Sequence, residues 1–329
     1  MAKKKTLRSI LFLLIGIALF WWVFRGTDLG ELGNELARVN WFWVSLSLLL
    51  NLFSQFVRAI RWKILFRPMD YNPRLSNLFL ANIILAFTNQ IIPRGGEIAR
   101  LGVVNKTDRV PFAKLFGTAL VERLTEFVIL MLIFITLVVW QFDRFQQILQ
   151  LPEISAKNLD PGRILLIAGI GVAVVAGTWF AVKKFGLLDK IRDRLQQIKK
   201  DIGEGFTSIL RIRNKLLYFV LSISVYGIWF VMLYLLFFAL PATAHLSFAA
   251  AAFTFGLATL AFLLPIQAGM GAWHFVVIQC LLLFGVDTES GKAFSLIAHA
   301  ATNLVHIVFG TIAFGILALI NRKNQHPAS

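Results

Sequence analysis

Apolar residues along this chain fall in long blocks: Ile10 to Phe24, Trp41 to Ile60, Leu75 to Ile92, Phe112 to Trp140, Ile164 to Val182, Leu216 to Leu240, Phe248 to Leu264, Met270 to Phe284 and Ala293 to Ile320. An α-helix needs roughly 20 such residues to cross a hydrocarbon core about 30 Å thick. Strand-like alternation does not recur at this scale. The pattern therefore predicts an all-α polytopic membrane helix bundle, a single integral membrane domain over residues 1–329.

Two junctions between blocks carry helix breakers, Pro93-Arg94-Gly95-Gly96 and Pro265-Ile266-Gln267-Ala268-Gly269. Basic residues then order the spans. Lys3, Lys4, Lys5 and Arg8 precede the first block, which lacks a small-residue cleavage site and reads as an anchor with its N-terminus inside. Arg58, Arg61, Lys63, Arg67 and Arg74 follow the second block and mark the cytoplasmic side. If Leu75 to Ile92 crossed completely, the stretch Lys183 to Lys215, with ten Lys and Arg, would lie outside, against the positive-inside rule. A re-entrant hairpin over Leu75 to Asn105, turning at Pro93 to Gly96, removes the conflict. The second apolar pair, Phe248 to Phe284, enters and leaves from outside; charge leaves open whether it crosses fully. Both termini are expected in the cytoplasm.

This order is span, span, hairpin from inside, span, followed by the same order from the opposite face. It predicts an inverted-topology repeat with two re-entrant helical hairpins, its halves at about 7–140 and 163–320, and the prolines Pro93 and Pro265 are 172 residues apart. Helix ends at mid-depth leave backbone groups unpaired, which is tolerable only against protein or a water-filled cavity. A helix starting near Gly96 or Met270 could attract a phosphate, or the glycine turns could be packed with no ligand.

The charged residues inside these blocks carry the candidate chemistry. Glu122, Arg123 and Glu126 interrupt the block Phe112 to Trp140, Glu122 about 15 Å along at 1.5 Å per residue. Each charge costs at least about 2.5 kcal/mol there on insertion scales, so the three are expected to face a polar interior. Arg123 can pair with either glutamate or with Glu97. Two readings stay open: a structural ion-pair cluster, or a site in which Arg94, Arg100 and Arg123 take an anionic head group. In the second, Glu97, Glu122 and Glu126 balance charge, take an amine or relay protons. Asn89 and Gln90 add neutral hydrogen-bonding groups. In the second half His299, Asn303 and His306 share one helix face, with His274 and Gln267 near the second turn. Hydrogen bonding between packed helices and a proton-sensitive cavity lining both fit that stripe. Ligand spacing for a metal is missing, and no cofactor is expected.

Composition narrows the class further. The chain is 58% hydrophobic and 15% charged with a formal net charge of +16, which in a soluble protein would suggest nucleic acid; here anionic inner-leaflet lipid and topology account for it. Lys183 to Lys215 reads as an amphipathic basic helix, either on the inner leaflet or packed on another chain. The lone Cys280 lies in an apolar run and reads as filler. No G-x-S-x-G, H-E-x-x-H or Walker loop is present.

The run Asn89-Gln90-Ile91-Ile92-Pro93-Arg94-Gly95-Gly96-Glu97-Ile98-Ala99-Arg100, the following Glu122-Arg123-Leu124-Thr125-Glu126 and the late Leu264-Pro265-Ile266-Gln267-Ala268-Gly269-Met270-Gly271 resemble the transmembrane domain family of lysylphosphatidylglycerol synthase. Gln267-Ala268 and Trp273-His274 stand where that family more often has a Pro-Gly-Gly turn and an acidic residue. The resemblance implies a flippase-like protein of the bacterial inner membrane that moves a phospholipid or lipid-linked substrate, without the soluble domain that attaches the amino acid. An enzyme acting on a lipid-linked substrate, with Glu97 or Glu122 as base, and a non-catalytic assembly factor are the rival classes. The oligomeric state is not legible.

Overall fold

The structure is a computed structural model that describes residue 14 and residues 17–92, 95–149, 192–262 and 267–325. The span expected at 164–182, the first part of that at 10–24, and the turn residues Pro93, Arg94 and Pro265 lie outside the described residues, as does the side chain of Gln267.

Chain breaks fall where proline and capping residues dictate. Helix α1 covers residues 17–24, and α2, Leu29–Ala37, starts on Asp28, whose carboxylate accepts from the amides of Gly30 and Glu31. Asn40 caps α3, Trp41–Phe66, which ends in a short 3₁₀ turn through Pro68. Helix α4, Leu75–Ile91, stops just before Pro93, and α5, Gly96–Asp108, follows. Pro111 sets the start of α6, Phe112–Trp140, and a short α7, Phe142–Leu149, follows it. After the undescribed stretch come α8, Arg192–Arg211, and α9, Lys215–Phe237, the latter capped by Asn214. Ser247 caps α10, Phe248–Ala261; α11 is Ala272–Leu283 and α12 is Thr288–Gln325. Among the described residues four helices are long and apolar enough to cross a membrane: α3, α6, α9 and α12.

These helices are turned inside out relative to a soluble bundle. On α6, Leu124, Leu132 and Val139 are exposed while Thr118 and Glu122 are wholly buried. Ser47, Asn51, Ser54, Gln55, Arg58 and Arg61 of α3 are likewise buried. Apolar side chains facing out and polar ones facing in suit a chain surrounded by lipid, where polar groups find partners only in the protein.

The helix contacts obey one substitution rule. Replacing α2, α3, α4, α5 and α6 by α8, α9, α10, α11 and α12 maps most of their packed pairs onto another: α3 on α4 onto α9 on α10, α4 on α12 onto α10 on α6, and α2 on α12 onto α8 on α6. The central pair, α3 and α9, runs antiparallel. Asn40 at the start of α3 donates its amide to Ala239 beyond the end of α9, while Trp62 near the far end of α3 packs in one cluster with Tyr218 at the start of α9. Antiparallel packing of these mates is the relation that an inverted repeat requires.

The first hairpin stops part-way along the long helices. The tip of α4 reaches His306, about midway along the membrane-length stretch Thr288–Leu319, while α5 starts beside Glu122 and Arg123, in the middle of α6. The α4–α5 pair can close this tightly because Gly96 lacks a side chain: a Cβ there would strike the Leu85 carbonyl and sit 2.7 Å from Asn89 Oδ1. Gly271, at φ +78°, does the same in the second half, where α1 passes over it.

Two sequence expectations change here. The second span does not end at Ile60 but continues to Phe66, which carries Arg58 and Arg61 into the bundle instead of leaving them on the cytoplasmic face. A charge count treats arginines near the end of an apolar block as interfacial; buried carboxylates far away in sequence hold these two inside. The basic helix α8 does not rest on lipid alone. It crosses α6 through Gly117 and Gly205, where any Cβ would strike the facing backbone, and Lys114 pairs with Glu204 at 2.7 Å.

Candidate functional site: a cavity between the two hairpin tips

Three helices bring seven charged residues together at the middle of the bundle. Glu122 and Arg61 are fully buried and lie 2.8 Å apart; Arg61 also bonds Glu126 at 2.8 Å. Arg100 reaches both Glu122 and Glu97 at 2.8 Å and stacks over Trp62, its Cζ 4.2 Å from the ring. Trp62 in turn donates its indole N–H to Thr118 at 3.0 Å. Arg123 pairs with Glu97 at 2.7 Å and Glu126 at 2.8 Å, but not with Glu122. Each carboxylate is thus bridged by two guanidinium groups, the geometry in which burying charge costs least.

Arg58 is different. It is buried at 6% exposure, its Nη1 donates to Gln55 Oε1 at 3.0 Å, its Nε has no acceptor, and it makes no ion pair with a described carboxylate. With Arg58 counted, the described cluster holds four arginines, Arg58, Arg61, Arg100 and Arg123, against three glutamates, Glu97, Glu122 and Glu126, a surplus of one positive charge.

A cavity of about 560 Å³ opens beside this cluster. One wall is polar: Asn51, Gln55 and Arg58 of α3, Asn89 and Gln90 of α4, and Arg123 and Glu126 of α6. The rest of the lining is largely apolar and includes Met232, Leu233 and Leu236 of α9 with Phe255 and Phe262 of the second hairpin. Glu97, Arg100 and Glu122 are outside the lining, behind the polar wall. The Arg123 side chain keeps 47% exposure between exposed Leu124 and Phe127, which marks a lateral opening level with the middle of α6.

Helix α12 lines the cavity as well and joins the two hairpin tips. Ala268, in the second turn at φ +51°, offers its carbonyl to His299 Nε2 at 2.8 Å. A carbonyl only accepts, so His299 carries its proton on Nε2, and Nδ1 accepts from Asn303 Nδ2 at 2.9 Å. Two helical turns further on, His306 Nδ1 lies 3.2 Å from Gln90 Nε2 at the first tip. His274 packs ring to ring on His299 at 4.4 Å and takes the Gly271 amide on Nδ1, but it does not line the cavity. The first hairpin's Gly96 amide is capped from within by Asn89 Oδ1 at 2.9 Å, so that helix start is not a vacant anion site. Among the described residues no group of three or more potential metal ligands converges.

The sequence pattern missed Arg58, Arg61, Asn51 and Gln55. A readable signal existed: Asn51, Gln55 and Arg58 recur at intervals of four and three inside an apolar helix, which places them on one face.

Residues 9–310 of the chain match the family described as the lysylphosphatidylglycerol synthase TM region. The chain belongs to this family. Two archaeal relatives of this lysylphosphatidylglycerol synthase TM-region protein carry the name UPF0104 membrane protein. One, from Methanocaldococcus jannaschii, is 24% identical over 332 residues, spanning 96% of this chain and 97% of the relative. The other, from Methanothermobacter thermautotrophicus, is 22% identical over 312 residues, or 86% of each chain. No solved structure matches. This family member is a membrane protein whose described helices and charged cluster border a cavity with polar and apolar lining.

Proposed function

We propose that this protein is a flippase-like lipid transporter that moves a phospholipid or lipid-linked head group across the inner membrane, with both termini cytoplasmic. The observation that carries the reading is the cavity at the meeting point of the two hairpin tips, lined by both polar and apolar side chains and open sideways at Arg123. An amphiphile fits such a space: its head group meets amides and guanidinium groups while its chains stay against α9 or in lipid. Dragging a bare phosphate through hydrocarbon costs many kcal/mol, and a polar mid-depth groove lowers that cost. Antiparallel repeat mates supply two related gates on either side of one site. The rival enzymatic reading draws less support, because Glu97 and Glu122, the candidate bases, are each held by two arginines.

Reconstitution of the purified protein into vesicles with labelled phospholipids tests this. Leaflet exchange well above that of empty vesicles is expected, reduced by Arg123→Ala. Exchange equal to empty vesicles across anionic, zwitterionic and aminoacylated head groups would reject the transport reading.

A further inference from the structure

We infer that Arg58 is the anion-receiving group of the cavity and takes one phosphate oxygen pair of the cargo, an inference that rests on the transport reading above. The argument begins with charge. The three glutamates of the cluster are paired directly with Arg61, Arg100 and Arg123, so Arg58 is the positive charge left without a direct ion pair among the described residues. A buried guanidinium with a free Nε and no direct ion pair is expensive to keep in a bilayer, and anion binding offsets that cost.

Geometry points the same way. Arg58 lines the cavity, and it is held from both sides: Gln55 takes Nη1 at 3.0 Å, and the Trp229 ring lies 6.0 Å from Cζ. Trp229 is itself fixed by donating its indole N–H to Ser54 at 3.2 Å. The guanidinium is therefore oriented in advance, with Nε unfilled. A phosphodiester carries two equivalent anionic oxygens at the spacing of a guanidinium edge and is the natural complement. Asn51 Oδ1 is also buried without a partner and lines the same wall, one helical turn before Gln55; it suits a donor such as a head-group hydroxyl or ammonium next to the phosphate.

The shared chemistry is a singly charged phosphate, which either a lipid or a soluble phosphate ester could present. Binding to the full-length protein in neutral detergent separates the sources. Short-chain phosphatidylglycerol, the matching diacylglycerol, glycerol phosphate and inorganic phosphate are the probes, read by native mass spectrometry and competition. Phosphatidylglycerol is expected to bind at least tenfold more tightly than diacylglycerol, and Arg58→Gln is expected to remove that preference while Arg58→Lys keeps part of it. Glycerol phosphate competing only at hundredfold higher concentration identifies a lipid; competition at equal concentration identifies a soluble ester at the same group. If wild-type protein shows the preference and exchanges lipid but Arg58→Gln does both equally well, the role of Arg58 is overturned and transport stands. Wild-type protein that neither prefers phosphate nor exchanges lipid overturns both. Because Arg58→Gln could fail to fold, the wild type provides a second measurement: crystals with a phosphorothioate analogue locate its sulfur by anomalous scattering. A peak within hydrogen-bonding reach of Arg58 supports the assignment. A peak at Arg123, at the surface or nowhere overturns it.

Discussion

Gln90 at the end of α4 lies 3.2 Å from His306 of α12, so the tip of the first hairpin is tied to the last helix of the opposite half. Two turns away on the same face, His299 holds the tip of the second hairpin through Ala268. Helix α12 is the strut on which both broken helices rest. A cycle of Gln90→Ala, His306→Ala and the double variant should show a coupling of about 1 kcal/mol in unfolding free energy, the net value of one hydrogen bond. Coupling near zero would mean that the two residues are neighbours without being partners.

Arg61 joins Glu122 and Glu126 with no exposure to solvent. Removing one member of a buried pair leaves a charge uncompensated, at a cost of about 3–5 kcal/mol. Arg61→Met is therefore expected to destabilise strongly in detergent unfolding experiments. Adding Glu122→Gln should restore part of the loss, since it removes one stranded carboxylate. A double variant less stable than the sum of the singles would contradict this account of the cluster.

At Gly96, α5 packs directly on α4, against the Leu85 carbonyl and Asn89. Gly96→Ala inserts a methyl group into that contact. A destabilisation of about 1–3 kcal/mol is expected from overpacking, together with faster amide exchange across 86–92. Exchange unchanged over those residues would show that the hairpin accommodates the methyl.

Thr302 lines the cavity from α12, and its hydroxyl is occupied by the Ala298 carbonyl at 3.0 Å. Thr302→Trp fills space without touching an ion pair. Transport through this cavity predicts at least a tenfold drop in leaflet exchange, with the unfolding midpoint of the protein shifted by only a few degrees. Full exchange in the filled protein would place the route elsewhere.

The Glu204 carboxyl on α8 is held below the usual glutamate range, first by its hydrogen bond from Lys114 and then by that ammonium's charge. A lowered folded pKa means that the contribution to docking is fully present above the unfolded glutamate value of about 4.3 and is lost as pH falls through the lower folded value. Protease cleavage within α8 should accelerate on acidification across that window, and Glu204→Gln should flatten the response. Identical pH profiles for both proteins would remove Glu204 from the docking of α8.

Much of this architecture follows from residues acting on their near neighbours. Apolar block length predicts the four long helices, Pro93 and Pro265 mark both hairpin junctions, and the period of Ile198, Ile202, Phe206 and Ile209 announces α8. Basic-residue counting predicts that α4 turns back before crossing, because it reports the preference of whole loops for one side of the bilayer. Helix α2 escaped that reading because its nine residues are too few for an apolar block, although Asp28 and Glu31 mark its start in the manner of a capping box.

The amino-acid order by itself determined the helices and their breaks, because these depend on hydrophobicity and backbone geometry within a few turns. Tertiary packing alone decided which charges meet. Arg61 finds Glu122 across 61 positions, and Arg58 is left over because three glutamates are claimed by three other arginines. Those outcomes turn on the rotation and depth of α3, α5 and α6 against one another, set by contacts such as Trp62 on Thr118 and Gly96 on Leu85. Such contacts fix distances to tenths of an ångström, and residue spacing along a chain carries no information at that scale.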